Sequence, residues 1–225
     1  MLSTFAKRTA AHLPHHWQQA LKRRHFQREI ARNVFQTDEP EWEMASQWLS
    51  PGDWAIDVGA NIGHYTKRFS DLVGPRGRVI AFEPVPATFE LLAANVAQFA
   101  CSNVTLLNLA ASDATQVVGM SIPDFDTGLK NYYGAAIDGA ATGLQVMACP
   151  IDGMRLPGPV RMLKIDAEGH DAVVLRGARE LVAANRPTIV IESSSDEVRA
   201  LLGELGYRSE TVPGSSNIIY RHPSR

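Results

Sequence analysis

AIDVGANIGHYT, residues Ala55–Thr66, is the stretch on which the fold reading turns. With Trp54 it opens on a short apolar run, WAIDV (Trp54–Val58), that has the length and content of a buried strand. The run passes straight into Gly59-Ala60-Asn61-Ile62-Gly63, and a helical pattern takes over from about Ile62 to Leu72. Glycines at such a turn let the backbone approach a ligand closely, and the helix beyond offers free N–H groups. Working outward, Pro51-Gly52 breaks the chain before this unit and Gly74-Pro75-Arg76-Gly77 breaks it after. A second strand is predicted over Arg78–Phe82, a helix over Ala87–Phe99 and a third strand over Val104–Leu109. The rhythm lapses across Gln116–Pro150, where strand-like pieces at Val117–Ile122 and Leu144–Cys149 flank a polar, glycine-rich middle from Asp124 to Gly143. It resumes with strand Val160–Ile165, helix His170–Ala183, strand Thr188–Glu192 and helix Ser195–Leu205. Two last runs, Tyr207–Val212 and Asn217–Tyr220, are separated by Pro213-Gly214-Ser215-Ser216, which suits a hairpin. This alternation predicts an open, mostly parallel α/β sheet with helices on both faces, closed by an antiparallel hairpin at one edge.

Ahead of the sheet, a helix is predicted from Pro14 to about Val34, followed by an acidic hinge at Gln36–Glu43 and a short helix at Trp42–Leu49. The chain thus divides into an arm, 1–37, and a domain, 38–225, with an insertion at about 114–150. The net charge of −2 hides an asymmetry: residues 1–35 carry seven Lys/Arg against the single acid Glu29, which leaves −8 on the remainder. Such an arm could be a solvated helix face, a lid, a homodimer contact or an anchor to an anionic membrane surface. Few aromatic residues interleave its bases and the body is acidic, so no nucleic-acid partner is expected. No apolar run approaches the roughly 18 residues of a membrane span, and Lys7 and Arg8 interrupt Met1–Ala11 where a secretory leader would be apolar. Cys101 and Cys149 stand alone, without the spacing of a zinc site or a disulfide framework, so a reduced, cytoplasmic setting is expected.

In open α/β sheets ligands bind beyond the carboxyl ends of the strands, where the strand order reverses. The predicted strand ends carry Asp57 with the glycine turn, then Glu83, Ala111-Ser112-Asp113, Asp166-Ala167-Glu168, and Glu192. The turn reads G-x-x-x-G with an acid two residues ahead, not the G-x-G-x-x-G of a pyrophosphate site. A carboxylate there would repel a diphosphate and attract an ammonium or sulfonium. Glu83, twenty residues beyond Gly63, stands where a carboxylate can accept from both hydroxyls of a ribose.

AIDVGANIGHYT together with FEP (Phe82–Pro84), LAASD (Leu109–Asp113) and KIDAEGHD (Lys164–Asp171) resembles the FkbM family of S-adenosylmethionine-dependent methyltransferases, over about residues 38–221. Asn131-Tyr132-Tyr133-Gly134 also resembles the N-x-x-G stretch of that family. The resemblance implies a Rossmann-like class I methyltransferase sandwich, with seven strands in the order 3-2-1-4-5-7-6 and strand seven antiparallel. It implies O-methylation of a hydroxyl on a sugar, glycan or natural-product acceptor. Asp57, Gly59, Asn61 and Gly63 would then hold the methionine half of the cofactor and Glu83 its ribose. Ala111, Ser112 and Asp113 would flank the adenine, and His64 and Thr66 could meet the cofactor carboxylate. The Gly/Ala-rich segment 123–143 and the basic arm depart from the pattern.

An alcohol is a poor nucleophile until its proton begins to leave, so a base is expected near the acceptor. Candidates are Asp166, which would also face the cofactor, Glu168 and His170, with His170 open to a capping role instead. Lys164 shares a strand face with Asp166 and could pair with it. Asn131, Tyr132, Tyr133 and Glu192 are the expected acceptor contacts. Asp166 and Glu192 end adjacent strands, but two carboxylates are few for a hard cation and no third stands at clear spacing, so no metal site is assigned. The fourth strand lacks the N/D-P-P-Y/F element of base-amine methyltransferases, and Cys149-Pro150 reverses the Pro-Cys of cytosine enzymes. The alternatives left open are N-methylation of a small molecule and a regulator that binds the cofactor without catalysis.

Overall fold

The computed structural model describes residues 14–125, 130–138, 143–192 and 195–224. The first thirteen residues of the arm and parts of the Asp124–Gly143 segment lie outside them, as does the side chain of Tyr133. Strand β1 (Trp54–Val58) sits mid-sheet, pairing in parallel with β2 (Arg78–Phe82) on one side and β8 (Val160–Ile165) on the other. Beyond β2 lies β3 (Val104–Leu107), and beyond β8 lies β9 (Thr188–Ile191), both parallel. The hairpin of β10 (Arg208–Thr211) and β11 (Ile218–Arg221) closes that edge, with β11 antiparallel to β9. The order β3-β2-β1-β8-β9-β11-β10 matches the expected seven-strand arrangement with its last strand reversed.

These strands read as near-continuous apolar runs because both faces of the sheet are covered. Alternate residues divide between the two sides. Ile56, Ile80, Leu163 and Ile189 pack under helices α5 (Asp171–Arg176), α6 (Arg179–Asn185) and α7 (Asp196–Glu204). Their neighbours Ala55, Val79, Met162 and Val190 pack against α2 (Pro40–Met44) and α3 (His64–Val73) through Trp42, Tyr65, Phe69 and Val73. Phe69 and Phe82 are fully buried, each contributing roughly 1.5–3 kcal/mol by removal from water. Helix α1 (His15–Ala31) lies outside this sandwich and packs on α4 (Pro86–Val96), where Phe26, Ile30 and Phe35 meet Ile62 and Leu91. Among the described residues no helix is long and apolar enough to cross a membrane.

Three elements differ from expectation. The predicted helix over His170–Ala183 is two helices, α5 and α6, broken at Gly177. A side chain there would fall 1.8 Å from the carbonyl oxygen of Ser112, so only glycine fits where the chain passes that strand end. The third strand ends at Leu107, and Ala110–Ala111 (β4) leaves for a second sheet. That sheet, in the order β4-β7-β5-β6, joins β5 (Gln116–Ser121) and β7 (Leu144–Cys149), both anticipated, to the unanticipated β6 (Ala136–Asp138). Val85, Ala110, Met120, Val146 and Ala148 form its small core. The short helix expected at Trp42–Leu49 is α2 followed by a 3-10 turn at Ala45–Gln47.

Candidate functional site

The chain leaves β1 toward β2 on one side and returns at β8 on the other, so the strand order reverses beyond Val58 and Ile165. Gly59 makes the crevice there possible. Its φ is +73°, and a Cβ would sit 2.0 Å from the Asp166 carbonyl oxygen, so only glycine lets the two loops touch. Gly59 and Ala60 donate their N–H groups to the Phe82 carbonyl, at 3.0 and 2.9 Å. Asn61 follows in the left-handed region, which aims its N–H at Glu83 Oε2, 2.9 Å away. Val85 N–H reaches the other oxygen, Oε1, also at 2.9 Å. Both oxygens of this buried carboxylate keep a lone pair for another donor. Burial pushes Glu83 up to about 7, against the lowering by its two backbone bonds, with Asp57 and Asp166 adding to the rise.

Asp57 is fully buried. Its Oδ2 accepts from Thr66 Oγ1 at 2.5 Å, while Oδ1 has no partner. Burial raises its pKa and Lys164 opposes the rise. Burial alone would lower Lys164, but Asp166 and Asp57 beside it hold it above its ordinary range, so it is charged. Its Nζ donates to Asp166 Oδ2 at 3.0 Å and lies 4.8 Å over the Tyr65 ring. Tyr65 O–H donates in turn to Glu39 Oε2 at 2.6 Å. Burial, and Glu39 after it, raise the Tyr65 pKa well above its ordinary value, so it is neutral. These groups line a cavity of about 250 Å³ that includes Thr37 and His64 and holds three acids, Glu39, Asp57 and Asp166, against the one lysine. Such a cavity attracts a cation.

A second cavity shares Gly59, Asn61 and Asp166 with the first and extends past Glu83 to Ala110, Ala111 and Met120. Its walls there are apolar. The orphaned Asp57 oxygen, the glycine cradle and the two open acceptors of Glu83 together fit a molecule with a cation at one end, a diol in the middle and an apolar ring at the other.

At the mouth, Glu168 adopts φ +48°. One carboxylate oxygen from each of Asp166, Glu168 and Glu192 lies within 4.8 Å of the others, a spacing that a hard cation could bridge. The third acid that sequence spacing did not reveal is therefore Glu168. Burial and the neighbouring acids raise the pKa values of Glu168 and Glu192. His170 stands at the N-cap position of α5 without a side-chain capping bond, and its Nε2 lies 3.2 Å from Ser112 Oγ instead. Burial lowers its pKa, which keeps the ring neutral.

Of the other expected residues, Gly63 is the N-cap of α3. Ala111 lines the second cavity, Ser112 is buried against His170, and Asp113 turns to Arg176 at 3.1 Å. Asn131 accepts from Gly134 N–H at 3.4 Å and so caps its own turn. Tyr132 reaches the cavity wall. His64 lies against Phe35, ring centres 4.3 Å apart and tilted by 45°, and burial lowers its pKa to about 4. Thr37, Glu39 and Tyr65 were not anticipated. Their approach is a contact across 26 residues between the hinge and α3, for which the local pattern carries no signal.

A family model described as the methyltransferase FkbM domain matches residues 57–209. A crystal structure of methyltransferase FkbM from Methylobacillus flagellatus KT superposes with a TM-score of 0.53 at 17% identity, covering 76% of this chain and 44% of that one. A SAM-dependent O-methyltransferase from Thermotoga maritima superposes at 0.50 with 15% identity, covering 87% and 69%. Among curated proteins, the protein-L-isoaspartate O-methyltransferase of Triticum aestivum is 41% identical over 44 residues, 20% of this chain and 19% of its own length. The chain thus spans less than half of the FkbM structure and about a fifth of the wheat enzyme. At these identities the structural likeness is one of fold.

Proposed function

This chain belongs to the FkbM methyltransferase domain family, and from that premise we propose that it transfers a methyl group from S-adenosylmethionine to a hydroxyl oxygen of a sugar, glycan or natural-product acceptor. The observation that carries the proposal is the pair of buried strand-end carboxylates in one crevice, Asp57 with an unpartnered oxygen and Glu83 with both oxygens half-used. Asp57 Oδ1 accepts from the cofactor's ammonium, which removes the cost of an unsatisfied buried acceptor. Glu83 accepts from the two ribose hydroxyls, and the wall at Ala110, Ala111 and Met120 receives the adenine. Bound there, the cofactor supplies an electrophilic methyl group on a sulfonium, transferred by in-line displacement.

The chain's own part is to position the acceptor, exclude water and remove a proton. Lys164 fixes Asp166 beside the glycine turn, where its carboxylate orients the incoming hydroxyl. Glu168 takes the hydroxyl proton as the new carbon–oxygen bond forms. Its raised pKa makes it a stronger base than an ordinary carboxylate. The His170 ring, engaged with Ser112, holds the loop on which Glu168 stands. The test has two arms. Calorimetry reads cofactor binding to the full chain, and incubation with hydroxylated sugars and small molecules is read as a mass gain of one methylene. No heat of binding would end the proposal. Binding, with methylation confined to amines, would end its oxygen specificity, and binding without any turnover would favour a non-catalytic role.

A further inference from the structure

Helix α1 has one face fastened and one face free. Phe26 and Ile30 pack inward on Ile62 and Leu91, and Lys22 tucks its ammonium 5.5 Å over the Tyr132 ring. On the opposite side stand Trp17, Leu21, Arg24, Arg28 and the C-cap residue Arg32, all exposed. Their spacing of four, three, four and four residues keeps them on one side of the helix over roughly 22 Å. Trp17 is 58% and Leu21 53% exposed, one turn apart on this face. The stripe contains no acid. Glu29, the arm's one carboxylate, lies off it, beside His25 at 3.2 Å. Among the described residues none of the three guanidinium groups has an ion-pair partner.

We infer that this face of α1 docks on an anionic phospholipid surface, with the three arginines at headgroup level and Trp17 and Leu21 set into the interface. A straight, acid-free row of cations matches a flat negative surface. An indole with a leucine one turn on, set among arginines, suits the interfacial layer of a membrane. A nucleic acid shares the phosphate chemistry but fits less well. A polyanion running from the stripe into the crevice would meet Glu39, Asp57, Glu83, Asp166, Glu168 and Glu192, whereas a bilayer touches only the outer side of α1. Thr37 and Glu39 line the crevice only five and seven residues past Arg32, so a chain docked in this way holds its active cleft close to the headgroups.

The experiment is co-sedimentation of the full chain with vesicles of phosphatidylcholine alone or with one-third phosphatidylserine, at low and at physiological salt. Partition is expected to require phosphatidylserine and to weaken with salt. Each arginine near an anionic leaflet is worth about a five-fold gain in partition, so the triple variant Arg24→Gln, Arg28→Gln, Arg32→Gln should lose on the order of 100-fold. Trp17→Phe should remove a blue shift of tryptophan emission that vesicles cause in the parent protein. Cofactor binding should be unchanged in both variants, which checks that they are folded and separates this inference from the proposed reaction. Equal sedimentation with both vesicle types would overturn the inference, as would anionic-vesicle binding indifferent to the three arginines. Arginine-dependent binding to mixed-sequence RNA with no vesicle binding would assign the stripe to a nucleic acid instead.

Discussion

Cofactor affinity should rise with pH, and the size of the rise follows from Glu83. Its carboxyl is pushed up to about 7 by burial, and it must be ionised to accept from both ribose hydroxyls while Asn61 and Val85 already donate to it. With that value about a tenth of the free protein is ionised at pH ~6 and about nine-tenths at pH ~8, which predicts a roughly ten-fold tighter dissociation constant at the higher pH. Binding near pH ~7 should release about half a proton, which calorimetry detects as a heat that varies with the ionisation enthalpy of the buffer. The ligand-free protein should respond in the opposite sense. A folded-state pKa above the unfolded one gives stability that is complete below the unfolded value near 4.5 and is lost as the pH rises through about 7. That loss is at most about 3 kcal/mol. Glu83→Gln should flatten both profiles, because its amide does not titrate. It should also weaken binding about 10- to 100-fold at the higher pH, since the amide nitrogen opposes one of the two backbone donors. If the parent protein binds the cofactor equally at both pH values and releases no proton, Glu83 does not hold the ribose as an ionised acceptor.

Asp166→Asn should lower turnover more than cofactor affinity, and equal losses in kcat and Kd would remove it from the acceptor side of the reaction. Glu168→Gln should cost about 10²- to 10⁴-fold in kcat with cofactor binding intact, the usual worth of a positioned base; unchanged turnover would exclude it. Lys164→Met leaves the buried Asp57 without its cation. A loss of about 2–3 kcal/mol is expected in urea denaturation, below the full value for a buried pair because Asp166 reaches solvent. Gly59→Ala places a methyl against the Asp166 carbonyl at a positive φ. It should cost about 2 kcal/mol or more of stability and abolish cofactor binding, and a variant that binds normally would show that the two loops need not touch.

The strand ends were legible because each is marked locally: an apolar run, then a glycine or an acid, with Pro/Gly breaks between units. The order of the strands came through the likeness of IDVGANIG and KIDAEG to a known family, since periodicity does not say which strands become neighbours. What stayed hidden depends on contacts between distant residues. Glu39 lines the crevice bonded to Tyr65, 26 residues on. Glu168 joins Asp166 and Glu192 from a left-handed backbone position, which no side-chain pattern announces. Gly177 stands where two helices replace the expected one, and its close approach to Ser112 is a contact between distant residues. The four-stranded sheet was half visible, since β5 and β7 have clear strand character while β6 is three residues in a Gly/Ala-rich stretch.

The small sheet ties its own first and last strands together, although the chain enters it from β3 at one edge of the large sheet and leaves it for β8 near the centre. Ala111 stands in register with Cys149, and Ser112 N–H bonds to the Cys149 carbonyl at 3.0 Å. The thirty-seven residues from 112 to 148 therefore form a closed detour with its ends already tied. Lengthening such a detour costs little, about 0.6 kcal/mol for each doubling of a flexible loop. Descendants of this chain can lengthen that segment, and so take up new acceptors, without rebuilding the larger sheet, provided that Met120 keeps its place in the cavity wall.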